Sequence, residues 1–119
     1  MEGHDRLGAF VAELRAFVAE RDWRKFHDPK NLSMLLASEA GELAGVLRWV
    51  DNAEADAAAS AEPLRTKLTH EIADVAIAVL LLCDRLGLDL VDIARAKLEL
   101  NRRNYPVEQA RGNAERPPR

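Results

Sequence analysis

The chain has 119 residues, 48% of them hydrophobic and 31% charged, with 6 Gly and 5 Pro. Such a balance excludes a disordered or low-complexity chain and leaves room for one soluble, helix-rich domain, whose small core predicts self-association. The formal charge of -3 is uneven, because residues 102–119 set five Arg against Glu108 and Glu115, a local +3 that leaves -6 on the preceding 101 residues. An acidic body with a short basic tail is the wrong footprint for a protein that reads a nucleic-acid polymer, which needs a broad basic face. Cys83 is the only cysteine, so an internal disulfide and a thiolate metal cluster are both excluded, and it reads as a buried packing residue. The first residues lack a basic stretch followed by an apolar run, and no apolar run reaches the length of a membrane span, so the expected location is cytoplasmic.

Leu7, Phe10, Val11, Leu14, Phe17 and Val18 recur at three- and four-residue steps and predict a first amphipathic helix ending near Asp22. Asp28-Pro29 then supplies a cap and a first-turn proline for a second helix to about Val50. Its inward stripe runs Leu32, Leu36, Glu39, Leu43, Val46 or Leu47, and Val50, so an acid stands where the period asks for an apolar residue. The Ala-rich segment from Asp51 to Ser60 reads as a connection able to extend raggedly as helix.

Ser60-Ala61-Glu62-Pro63 is the expected opening of a third helix with its face on Leu64, Leu68, Ile72, Val75, Val79 and Leu82, stopped by Gly87. From Val75 to Cys83 it is apolar on almost every side, which predicts enclosure by a second subunit. Asp89 is the expected cap of a fourth helix to about Arg103, and Pro106 prevents its simple continuation. The expected organisation is therefore an all-α, four-helix bundle-like domain over residues 1–105, then a flexible basic arm over 106–119.

Two acidic pairs carry the chemistry: Glu39-Ala40-Gly41-Glu42 on the second helix and Glu71-Ile72-Ala73-Asp74 on the third. Residues three apart share a helical face, so on antiparallel neighbours the pairs converge. One such pair is usually a solvated face. Two pairs at or beside apolar stripes, separated by the small residues Ala40, Gly41 and Ala73, predict a close helix approach and a cleft of like charges that needs a divalent cation. All-oxygen ligation favours Mg²⁺, with Mn²⁺ as a substitute, and Mg²⁺ keeps water positions that phosphate oxygens can replace. A di-iron bundle would need Glu-x-x-His on two helices, and the chain has none, since His70 directly precedes Glu71 and His4 and His27 lie outside the central helices.

A wider set of residues completes the pattern: Glu20-Arg21-Asp22-Trp23, Phe26-His27-x-Pro29-x-Asn31-Leu32, Glu39-x-Gly41-Glu42-Leu43, Trp49, Glu71-x-x-Asp74, Lys97-x-x-x-Asn101-Arg102-x-x-Tyr105-Pro106-Val107 and Arg111-Gly112. In this order they resemble the all-α nucleotide pyrophosphohydrolases related to MazG, most closely the dCTP pyrophosphatase branch, over most of the chain. The resemblance implies Glu39, Glu42, Glu71 and Asp74 as Mg²⁺ ligands and catalytic carboxylates. It also implies hydrolysis of a nucleoside triphosphate to monophosphate and pyrophosphate, with dCTP or a modified dCTP as first substrate, and a dimer or tetramer. Lys97, Arg102 and Arg111 are then the phosphate-clamp candidates, although helix-end charges favoured by the dipole look the same.

Trp23 and Trp49, both near helix ends, are candidates for stacking on the base, against the commoner role of a Trp as packing anchor. His27 and Asn101 can hydrogen-bond base or sugar edges, and Tyr105 is a further substrate candidate that more simply packs the arm. Leu14 stands where similar chains carry a polar base-contacting residue, so their base preference does not transfer directly. The competing readings are a non-enzymatic helical interaction module, and the same fold acting on dUTP, dUDP or another diphosphate-containing nucleotide.

Overall fold

A computed structural model describes residues 5–115; residues 1–4 and 116–119, with His4, Arg116 and Arg119, lie outside the described residues. The chain groups into two compact units, Met1–Gly87 and Leu88–Arg119. Among the described residues there are only helices and turns, with no strand, so the all-α expectation holds.

The first unit holds α1 (Arg6–Glu20), α2 (Pro29–Val46), the short α3 (Ala55–Ala59) and the long α4 (Leu64–Leu86). Local chemistry sets most of their ends. The Asp5 carboxylate accepts from the Gly8 N–H at 3.0 Å, and Asp28 caps α2 by accepting from the Asn31 N–H at 2.9 Å, directly before the first-turn Pro29. Gly87 ends α4 in the left-handed region at φ 69°, where a side chain would be strained.

Two ends differ from the sequence reading. Helix α2 stops at Val46 rather than near Val50, the chain turning just after Gly45, a weak helix former. Ser60 does not cap α4: the Ala-rich run closes into α3, Ser60 is consumed as its C-cap, and its hydroxyl donates to the Asp56 carbonyl at 2.9 Å. Helix α4 then starts after Pro63 with no side-chain cap.

Helices α2 and α4 pack along one another more extensively than any other pair, and α1 and α3 also lie on α4. Leu14 and Val18 of α1 and Leu32 of α2, all on the stripes expected to face inward, form the buried core with Ala78, Leu80 and Cys83 of α4. None of these three α4 residues is on the face expected for that helix (Leu64, Leu68, Ile72, Val75, Val79 and Leu82), because the run from Val75 to Cys83 is apolar on almost every side and its period does not single out one face. Gly41 is not what lets the helices approach, because a Cβ built there meets nothing within 4 Å. Large apolar side chains also stay exposed, Met34 (65%) and Ile72 (56%) among them.

The second unit holds α5 (Leu90–Asn104), capped by Asp89 through the Asp92 N–H at 2.9 Å, and α6 (Val107–Ala110). Pro106 separates them. Part of the stretch expected as an arm is therefore a short helix, and residues 91–100 of α5 are all exposed, including Val91, Ile93, Leu98 and Leu100.

Candidate metal centre

The α2–α4 pairing brings the acids of both motifs together. One carboxylate oxygen each from Glu39, Glu42 and Glu71 lies within 4.8 Å of the others. Asp74, a turn further along α4, falls outside that triplet but acts electrostatically on both Glu39 and Glu71, and it lines a cavity together with Glu39. Glu42 meets Glu71 while Leu35 and Glu39 share lining with Asp74, Ile77 and Leu81, so residue numbers fall along α2 as they rise along α4. The two helices are antiparallel, the arrangement that lets the pairs converge.

Glu39 and Glu71 are half-buried, and the Oε2 atom of each is enclosed without a hydrogen-bond partner among the described residues. Burial pushes the Glu39 carboxyl above the usual carboxylate range, helped by the negative charges of Asp74, Glu42 and Glu71. The Glu71 carboxyl is raised first by burial and then by Glu42 and Asp74, with His70 opposing weakly. Enclosed oxygens without donors, among like charges, are costly in an ionised state unless a cation sits between them. The donor set therefore fits a hard, oxygen-ligated divalent ion such as Mg²⁺ or Mn²⁺.

Beside this cluster lies a cavity of about 170 Å³. Its inner surface is apolar, made by Leu14 and Val18 of α1 and by Ile77, Ala78 and Leu81 of α4, while Glu39, Asp74 and His27 supply the polar groups. Trp23 and Phe17 form one wall, their rings edge to face at 5.8 Å and 74°. Leu14 is buried in that lining, at the position the sequence singles out as apolar.

Trp23 and His27 are thus brought to the cavity that Glu39 borders, whereas Trp49 is not among its lining residues: it is 86% exposed, in the turn after α2, with the Arg48 guanidinium 5.3 Å from its ring centre. The remaining candidates belong to the second unit. Lys97 is exposed on α5, Arg102 pairs with Glu99 one turn away, Asn101 accepts the Tyr105 N–H through its carbonyl at 2.8 Å, and Arg111 is the exposed C-cap of α6.

Several lining residues were not among the site candidates read from the sequence, notably Phe17, Ile77, Ala78 and Leu81. Phe17 and the apolar run of α4 were visible as stripes, but a stripe does not tell which of its members faces a cavity rather than a neighbour.

The comparisons with known proteins agree with this architecture. Residues 38–116 match the model of the MazG-like family, a span that begins beside Glu39 and includes both acidic motifs. The dCTP pyrophosphatase 1 proteins of Bos taurus and Homo sapiens are 40% and 38% identical to the chain over 98 residues, 82% of its length. The chain spans 58% of the length of these curated relatives. A pyrophosphatase from Archaeoglobus fulgidus superimposes with a TM-score of 0.82 at 31% identity, covering 89% of this chain and 97% of the archaeal one. With the acidic pairs, the antiparallel helices that carry them and the family match all falling on the same residues, the chain belongs to the MazG-like family.

Proposed function

We propose that this protein hydrolyses nucleoside triphosphates to the monophosphate and pyrophosphate, dCTP or a modified dCTP being the first substrate to try. One observation carries the reading: Glu39 belongs to the carboxylate triplet and also lines the apolar, aromatic-walled cavity. A ligand spanning both would place a phosphate chain at the acids and a base against Trp23. The names of the dCTP pyrophosphatase relatives and of the archaeal pyrophosphatase support the same chemistry.

Water is added across the α–β phosphoanhydride: a new P–O bond forms at one of the two phosphorus atoms as the bond from that phosphorus to the bridging oxygen breaks, giving monophosphate and pyrophosphate. Glu39, Glu42, Glu71 and Asp74 are the residues that would hold Mg²⁺ or Mn²⁺, which supplies charge neutralisation for the phosphates and the leaving group. A carboxylate of the cluster orients the attacking water and accepts its proton. The cavity orients the nucleoside: Trp23 offers a face for stacking and His27 a hydrogen-bonding edge. Lys97, Asn101, Arg102, Tyr105, Arg111 and Trp49 enter this reading on their motif positions.

Exposed apolar residues on both units, Met34, Ile72 and Val107 among them, support assembly into a homodimer or homotetramer. No helix among the described residues is long and apolar enough to cross a membrane. A cytoplasmic location is part of the reading and rests on the nucleotide substrate.

The test is product analysis over a panel of nucleotides differing in base and sugar. Pyrophosphate release that requires Mg²⁺ or Mn²⁺ is expected, and orthophosphate in its place, or no release from any nucleotide, would overturn the assignment.

A further inference from the structure

The wall that carries Trp23 and His27 is a short irregular stretch between α1 and α2, with a 3₁₀ turn at Arg24–Phe26. It is attached to each of three helices. Behind it, the Trp23 N–H donates to the Val18 carbonyl of α1 at 3.1 Å. From α2, the Asn31 side chain donates to the Phe26 carbonyl at 3.0 Å. From α4, Arg85 Nη1 donates to the Arg24 carbonyl at 3.3 Å, the same oxygen that accepts the His27 N–H at 3.1 Å.

The neighbouring residue, Asp84, ties α1 to the same end of α4: its Oδ1 accepts Arg15 Nε at 2.7 Å and lies 2.6 Å from Arg15 Nη2. Around these groups is a notch of about 30 Å³, lined by Arg15, Arg24, Asp84 and Arg85 together with Val18, His27 and Leu81. Val18, His27 and Leu81 line the larger cavity as well, so the notch lies directly behind them. One stripe of α4 thus carries, in order, the acids Glu71 and Asp74, the cavity lining Ile77, Ala78 and Leu81, and then Asp84 and Arg85. Both bonded arginines reach from one helix to another element, whereas the other ion pairs among the described residues join residues one or three apart.

We propose that Arg85, backed by the Arg15–Asp84 pair, is a positioning residue: it fixes the Trp23–His27 wall against α4 and so sets the width of the base pocket, without touching the substrate or the carboxylate cluster. This rests on the nucleotide reading above. The Arg15–Asp84 pair is partly open to solvent, with 59% of the Arg15 side chain exposed, so its loss costs the fold little. A wall displaced by a fraction of an ångström still changes nucleotide binding, because orientation in the pocket is lost.

The experiment is steady-state pyrophosphate release by Arg85→Met, Arg85→Lys and Arg15→Gln beside the unaltered protein, with Arg6→Met, at the start of α1, as control. Arg85→Met is expected to raise KM about tenfold and narrow the preference among bases while kcat stays within about twofold. Arg85→Lys, which still donates to the Arg24 carbonyl, is expected to recover most of the KM. If Arg85→Met fails to fold, Arg15→Gln tests the same wall from α1, with a smaller rise in KM expected. An unchanged KM in the folded variants, or a fall in kcat at constant KM, would overturn the positioning role alone. Absence of turnover by the unaltered protein would sink the proposed function, and this inference with it.

Discussion

Filling the cavity separates a binding pocket from a packing defect. Ala78 is fully buried and is one of the residues lining the 170 Å³ cavity, so Ala78→Leu adds three carbons at its wall. At about 0.8 kcal/mol per buried methylene the gross gain is ~2.4 kcal/mol. Ordering the longer side chain removes ~0.5–1 kcal/mol of that. The net expectation is a stabilisation of about 1.5 kcal/mol, seen as a melting temperature higher by about 5–9 °C in calorimetry. On the proposed function the same substitution would block the nucleoside, so KM for the nucleotide should rise more than about tenfold. Over-packing of a filled core would instead cost about 1–3 kcal/mol. A lower melting temperature together with normal KM would refute the reasoning, since the space would then be neither open nor a binding pocket.

The pH dependence of the metal-free protein follows from Glu39 and Glu71. Their folded carboxyls bind protons more readily than the ordinary value of 4.5, so the folded state holds more protons than the unfolded one above that value. The stability they contribute is full below 4.5 and is lost as pH rises through the raised folded values, so Glu39→Gln should flatten the fall in melting temperature as pH is raised above 4.5. Leu32, 1% exposed, is the largest fully buried side chain, and Leu32→Ala should cost about 3 kcal/mol in urea denaturation. Gly87→Ala should cost about 1–2 kcal/mol in the same assay, from backbone conformation alone, because an added Cβ meets open space at φ +69°.

What the sequence made legible was local. Asp28, Asp89 and Gly87 act within a turn of where they stand, so their caps and stop could be read directly, and the acidic pairs could be read because i and i+3 share a face. Ser60 misled because two helices competed for it and the Ala-rich run before it won. The two tryptophans look alike in sequence, each near a helix end, yet one walls a cavity and the other is almost wholly exposed; only packing separates them. Arg15 and Asp84 are 69 residues apart, and no periodicity links an arginine on one helix to an aspartate on another. Glu39 is the instructive middle case, since its place in an apolar stripe was visible but its double membership of cluster and cavity appears only once α2 and α4 are packed.

The central claim is that the carboxylates are held close because a cation belongs among them. Thermal melting of the unaltered protein, Glu39→Gln and Glu71→Gln, each with and without Mg²⁺ and a non-hydrolysable nucleotide, tests it most directly. Removing a like charge should raise the metal-free melting temperature of both variants and abolish their response to the ligands. The unaltered protein should be stabilised by about 2.7 kcal/mol at ligand concentrations near a hundred times the dissociation constant. Equal ligand-induced shifts in all three proteins, or none in any, would contradict it.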